Sequence, residues 1–185
     1  MDKKQAALEA TLRLIAEQGF HGTPMSQVAR EANIGVGTIY RYFSGKEELI
    51  NELYIFIKQR TTEAILKKYS GDKTVQENFK ETMKEIVCYM ADHPLELSFH
   101  EQYANSPLIT QATKEQGVHI MEPVKELFRQ ARTENLLKDL TDEILFTLAA
   151  GAVFSLAKLH ISDGVPIRDD VLAAETEAIW DMIKK

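Results

Sequence analysis

Nearly every apolar segment of this chain repeats at i, i+3, i+4 and i+7, and none sustains an alternation of period two. Its apolar surface can therefore be buried only by packing helix on helix, and the spacing predicts an all-α fold. The 185 residues supply enough chain for a packed core, and 9 Gly and 5 Pro beside 44% apolar residues make a globular rather than a disordered composition. The lone cysteine, Cys88, has no partner for an intramolecular disulfide and suits a reducing, cytoplasmic home. No apolar run is expected to span a membrane, and the start MDKKQAALEATLRL lacks an apolar signal core.

The first helix is predicted over residues 3–18, with Leu8, Leu12, Ile15 and Ala16 on one face and Gly19 closing it. Thr23 followed by Pro24 reads as a start signal, the hydroxyl capping free N–H groups and the proline taking the first helical position. The second helix then runs to about Ala32 and buries Met25, Val28, Ala29 and Ala32. Asn33-Ile34-Gly35 makes a tight turn, since Asn and Gly tolerate positive φ. A third short helix, about Val36 to Phe43, turns Ile39 and Phe43 inward and leaves Gly37, Thr38, Tyr40, Arg41 and Tyr42 outside. Ser44-Gly45-Lys46-Glu47 reads as a capping box whose free N–H groups, with Lys46, suit a phosphate.

Two short helices joined by a tight turn, the second showing a polar, aromatic and basic face, describe a helix-turn-helix. Charge supports this placement. The whole chain carries −6, but residues 1–46 hold six Lys/Arg against four Asp/Glu, which leaves −8 for residues 47–185. A polyanion is met at the N-terminus or nowhere. An ordinary helical hairpin with a solvated face fits the local pattern equally well.

The stretch from Gly22 to Leu49 resembles the DNA-binding domain of TetR-family transcriptional regulators, most specifically in Gly37-Thr38-Ile39-Tyr40-Arg41-Tyr42-Phe43 followed by Lys46-Glu47-Glu48-Leu49. Pro24 stands where a second Thr is frequent, and Gly35-Val36 replaces a common Ser-Lys pair. The resemblance implies that Val36, Gly37 and Thr38 meet base edges or nearby backbone, that Tyr40, Tyr42 and Lys46 hold phosphates, and that Arg41 selects sequence. It also implies a DNA-binding domain over residues 1–46 and a helical effector-binding and dimerisation domain over 47–185.

A long fourth helix, about Lys46 to Tyr69, is expected to join the two regions, carrying Leu49, Leu53, Ile57 and Ala64 on one side. Thr74-Val75-Gln76-Glu77 is a second capping box, and the helix it opens runs to His93-Pro94. A short helix with Leu95, Phe99 and Tyr103 follows. The next stretch, about 107–134, should break near Gly117 and Pro123. The last two helices are predicted over 141–162 and 168–184. Their apolar residues Leu145, Leu148, Ala149, Ala152, Leu156, Val171, Leu172, Ile179, Trp180 and Ile183 are assigned to a dimer interface, since TetR-like chains pair these helices with their symmetry mates.

Phe56, Met83, Met90, Phe99, Glu101, Tyr103, Met121 and Phe128 form the candidate effector lining, a mixture of rings and thioethers that relatives use in this way. Residues 74–131 hold nine acids against five bases, which favours a neutral or cationic effector of apolar or aromatic body. His93, His100, Glu101 and His119 match no compact metal-ligand spacing, so no metal is expected, and no cofactor motif is present. No nucleophile elbow or phosphate-binding glycine loop is found, and the chain is read as no enzyme. The expected function is a homodimeric, effector-released repressor on a palindromic operator. The alternative is a helical dimeric small-molecule carrier or scaffold without DNA binding.

Overall fold

The computed structural model describes residues 2–67 and 71–185, and among them it contains ten α-helices and no β-strand. The helices are α1 Lys3–Gln18, α2 Met25–Glu31, α3 Val36–Tyr42, α4 Lys46–Leu66, α5 Val75–Asp92, α6 Pro94–Tyr103, α7 Gln111–Ile120, α8 Glu122–Thr133, α9 Asp142–Ser162 and α10 Asp169–Ile183. The expected end of the fourth helix at Tyr69 lies outside the described residues. Two compact units form, one from residues 1–59 with 95–119, the other from 60–94 with 120–185. The first therefore reaches past residue 46, the boundary expected from the sequence, and takes in nearly all of α6 and α7.

In the first unit α1 packs on α2 and α3, and α2 on α3. Leu8, Leu12 and Ile15 are buried as predicted, joined by Ala7, Ala10, Thr11 and Leu14, whereas Ala16 is exposed. Val28, Ala29, Ile39 and Phe43 are closed off from solvent, and each large apolar side chain so buried stabilises the fold by about 1.5–3 kcal/mol. Three local details differ from the sequence reading. Thr23 does not cap α2: its hydroxyl donates to the Gly19 carbonyl at 2.9 Å, and Pro24 stands one position before the helix rather than inside it. Only Asn33 of the turn uses the left-handed region, at φ 52°, while Gly35 sits at φ −65°. The box at Ser44 closes on Glu48, whose carboxylate accepts the Ser44 N–H at 2.6 Å, because Glu48 and not Glu47 lies a full turn away.

In the second unit α5 lies against α8, α9 and α10. Its start is the predicted box: Thr74 Oγ1 accepts from the Glu77 N–H at 3.2 Å, and Glu77 accepts from the Thr74 N–H at 2.8 Å. Phe79 forms the centre, 5.3 Å from the Phe128 ring and 5.1 Å from Trp180. The helical stretch before residue 134 breaks at Met121, and Pro123 falls in the first turn of α8, where its missing N–H is harmless. Asn135 ends it at φ 60°.

In the last two helices Leu145, Ala149, Leu172, Ile179, Trp180 and Ile183, assigned from the sequence to a dimer interface, are buried within the chain's own second unit. Helix α9 is apolar nearly all round, which hid its inner face from a reading of spacing. It is also the one helix among the described residues that is long and apolar enough, by length and composition, to cross a membrane. Ala152, Leu156 and Val171 are half-buried, and Leu148 is exposed.

His160, near the end of α9, is buried with Nδ1 2.8 Å from the Val165 carbonyl and Nε2 3.1 Å from Glu175. Burial pulls its pKa down, but the Val165 carbonyl, the bond to Glu175 and that carboxylate's charge outweigh burial and hold it above the ordinary 6.5. The folded chain thus binds this proton more tightly than the unfolded chain. The resulting stabilisation is complete below about pH 6.5 and is lost as pH rises through the folded value. Glu175→Gln is expected to cost about 1.5–3 kcal/mol near pH 6 and much less near pH 8. Thermal melts of both proteins across that range check this, since an equal loss at both pH values would mean that the charge of His160 plays no part.

Candidate nucleic-acid interface

Helix α3 has seven residues, too few to be stable alone, and is held by Ile39 and Phe43. Lys4 reinforces the anchor: its Nζ lies 5.9 Å from the Phe43 ring centroid and 2.8 Å from Glu52 on α4. With those two side chains inside, the rest of the helix turns outward. Val36, Gly37, Tyr40, Arg41 and Tyr42 are exposed and Thr38 is half-buried. A Cβ added at Gly37 would meet nothing within 4 Å, so no internal packing demands glycine there. What it leaves is a flat stretch of backbone on the outer face.

Lys46, expected to hold a phosphate, is engaged within the motif in this structure. Its ammonium folds back over the Phe20 ring at 4.4 Å and donates to the His21 carbonyl at 3.2 Å. Desolvation there pulls its pKa below the usual lysine range. The N-terminus of α4 is thus served by the Glu48 carboxylate, and Lys46 fastens the α1–α2 turn. Arg13 pairs with Glu31 at 3.5 Å. Among the described residues Lys3, Arg30 and Arg41 hold no ion pair. Arg30, exposed in the last turn of α2, was missed because its charge looked like an ordinary solvated face.

Two sets of hydrogen bonds tie this motif to α6 and to the segment that leads into α7 inside the same unit. The Phe20 N–H donates to the Tyr103 hydroxyl at 3.3 Å. Asn51 on α4 donates to the Leu108 carbonyl at 2.9 Å and accepts from the Thr110 N–H at 2.9 Å. No sequence signal marked Asn51, because an asparagine on a helix is ordinarily solvated.

The candidate effector residues divide between the units. Phe56, Phe99, Glu101 and Tyr103 belong to the first; Met83, Met90, Met121 and Phe128 belong to the second. Phe99 and Tyr103 lie 5.4 Å apart and line a tight crevice with Leu12, Ile15 and Leu95. Phe128 packs edge-on against Phe79 and at a tilt against Phe146, a core role, and Met83 and Met90 are likewise interior. Met121 accepts from the Thr62 hydroxyl at 3.2 Å. Glu101 is exposed on α6. The candidate histidines are scattered: His93 stacks on Tyr89 at 4.1 Å, and His119 is exposed on α7.

Residues 7–53 match the N-terminal domain model of bacterial regulatory proteins of the tetR family, and residues 74–184 match a tetracyclin repressor-like C-terminal domain. The chain is 28% identical over 185 residues to an HTH-type transcriptional regulator of Haemophilus influenzae, covering 100% of this chain and 97% of that one. A TetR-family protein of Vibrio parahaemolyticus superposes with a TM-score of 0.83 at 34% identity over 100% of both chains. A tetR-family transcription regulator of Shewanella sp. PV-4 gives 0.91 at 26% identity, again over 100% of both. With its exposed α3 carried on a three-helix N-terminal motif, the chain belongs to the TetR family of helix-turn-helix transcriptional regulators.

Proposed function

We propose that the chain is a dimeric repressor that binds a pseudo-palindromic operator through α3 and leaves it when a mainly apolar small molecule binds. The observation that carries this reading is the outer face of α3, where Tyr40, Arg41 and Tyr42 stand exposed without internal work to do and Thr38 is half-buried beside them. Tyrosine hydroxyls suit phosphate oxygens, Val36, Gly37 and Thr38 suit base edges or nearby backbone, and Arg41 suits a guanine edge. Arg30 and Lys3 add phosphate contacts; Lys46 positions the turn that presents them. The protein acts in the cytoplasm, where its operator is.

The dimer reading rests on α9. Its window of mean hydropathy 1.8 is only 28% buried within the chain. Ile144, Leu148, Gly151, Ser155 and Leu159 recur at helical spacing along its uncovered side. A second copy presenting the same strip would bury it, with Gly151 allowing close approach. Release follows from the hydrogen bonds of Phe20 and Asn51. An effector that displaces α6 or α7 pulls on the turn before α2 and on the first turns of α4, and so alters the spacing of the two α3 helices.

Half-sites are expected about 34–36 Å apart or a multiple of that. Arg41→Ala should cost about 1–3 kcal/mol and relax one base position, whereas Tyr42→Phe and Arg30→Ala should weaken all sequences alike. Selection on random duplexes followed by binding at several salt concentrations reads both; unchanged affinity in all three variants would remove this face from the interface. Leu148→Glu should convert the dimer to a monomer by placing a carboxylate in the apolar strip. Sedimentation of the unaltered protein as a monomer at micromolar concentration would sink the dimer reading.

A further inference from the structure

Lys58 stands on the inward side of α4, one turn beyond Tyr54 and beside Ile57 in a stripe otherwise made of Ile50, Leu53, Tyr54, Ile57 and Thr61. The residue keeps part of its surface accessible. Its Nζ lies 5.6 Å from the Tyr54 ring centroid. That ring is fixed from behind, because a Cβ at Gly117 would come within 2.6 Å of its Cε1, so only glycine fits there on α7. Lys58 is therefore carried on a rigid aromatic floor rather than waving in solvent.

Among the described residues no carboxylate or carbonyl pairs with this ammonium. The buried carboxylate of the first unit, Glu96, is engaged with another group. His100 on α6 stands near enough to feel the Lys58 charge, which disfavours its protonation and leaves the imidazole neutral. Desolvation lowers the Lys58 pKa to about 8, and burial together with the Lys58 charge lowers that of His100 to about 3. At neutral pH the pair thus carries one positive charge, held by Lys58, in surroundings that penalise it. Natural chains leave a cation desolvated and unpaired where a ligand completes it, since the cost otherwise goes uncompensated.

We propose that Lys58, resting on Tyr54 and flanked by His100, is the anchor for the anionic head group of the effector, which is an apolar molecule ending in a carboxylate. This rests on the reading of the chain as an effector-released regulator and revises the charge expected from the acid surplus of residues 74–131. Glu101, the counter-charge a cationic effector would need, lies exposed on α6, and the surplus acids act through screened solvent. A single desolvated ammonium suits a monoanion, and its neutralisation raises the Lys58 pKa back toward its ordinary value.

The test uses the full-length protein on its selected operator, with straight-chain carboxylates from octanoate to palmitate and the matched alcohols and amines as probes. Calorimetry should show saturable binding of carboxylates in preference to both other series. Lys58→Met should lose about tenfold to a hundredfold in carboxylate affinity while leaving alcohol binding unchanged, and Lys58→Arg should recover part of the loss. Melting curves of both variants establish that they fold, since removing a desolvated charge should not lower the melting temperature. Absence of saturable carboxylate binding, preference for the amines, or equal losses for alcohols and carboxylates in Lys58→Met would overturn the anchor. Operator release is read separately: carboxylates that bind through Lys58 without freeing DNA would leave the anchor standing and defeat the regulatory reading, whereas release by amines alone does the reverse.

Discussion

The interaction on which this architecture depends is the burial of Ile39 and Phe43. A seven-residue helix has too few internal hydrogen bonds to offset the cost of nucleating it, so α3 depends on the burial of two side chains four residues apart and on its packing against α1 and α2. That insertion decides everything outside it. At 100° per residue, fixing positions 39 and 43 leaves no freedom in where 36, 37, 40 and 41 point. The DNA-facing surface is thus a by-product of core packing, and the Lys4 ammonium over Phe43, held by Glu52, binds that packing to α4.

The same economy governs the cations. Residues 1–46 carry more bases than acids, but three of the six bases are used to hold the motif together, and Lys46 gives its charge to the Phe20 ring and the His21 carbonyl. What remains for a polyanion is small in charge and rich in oriented hydroxyls. Binding of this kind has a modest salt dependence relative to a lysine-rich arm and gains its specificity from a rigid, correctly placed face.

How much of this was legible in the sequence depends on whether spacing or depth decides the matter. Helix bounds were read closely at α1, α3, α5, α9 and α10, because apolar period and capping chemistry are local properties: the Thr74–Glu77 box needs only two residues three apart. The caps at Thr23 and Ser44 were misread because several acceptors and donors of the right type stand within reach, and which one closes depends on the path of the turn. The dimer assignment took in Leu145, Ile179 and Trp180, which are buried within the chain, because apolar spacing alone does not distinguish the face that meets a helix's own core from a face left for a partner. Lys58 was overlooked because a lysine is solvated by default. Its signal, visible in hindsight, is a charge set one turn after Tyr54 within a stripe that is otherwise apolar or hydroxylic.

On the proposed reading, the packing of α6 in the same unit as the helix-turn-helix lets a small ligand govern a large contact. Because α6 and α7 pack in the same compact unit as the helix-turn-helix, a displacement of α6 needs no long relay: Tyr103 reaches the Phe20 N–H, and Asn51 holds both Leu108 and Thr110. An effector exerts only the difference between its affinities for the two arrangements, ordinarily about 1–3 kcal/mol. In a dimer that difference is multiplied. When both half-sites are engaged, the second binds at a high effective concentration, and a change in spacing that prevents simultaneous contact forfeits about 10²–10⁴ in avidity without breaking any contact within a half-site. A monomer with the same α3 and the same effector would gain no such leverage. On the proposed reading, the uncovered strip of α9 and the exposed face of α3 are parts of one mechanism, since dimerisation would turn a small tilt into the loss of the operator.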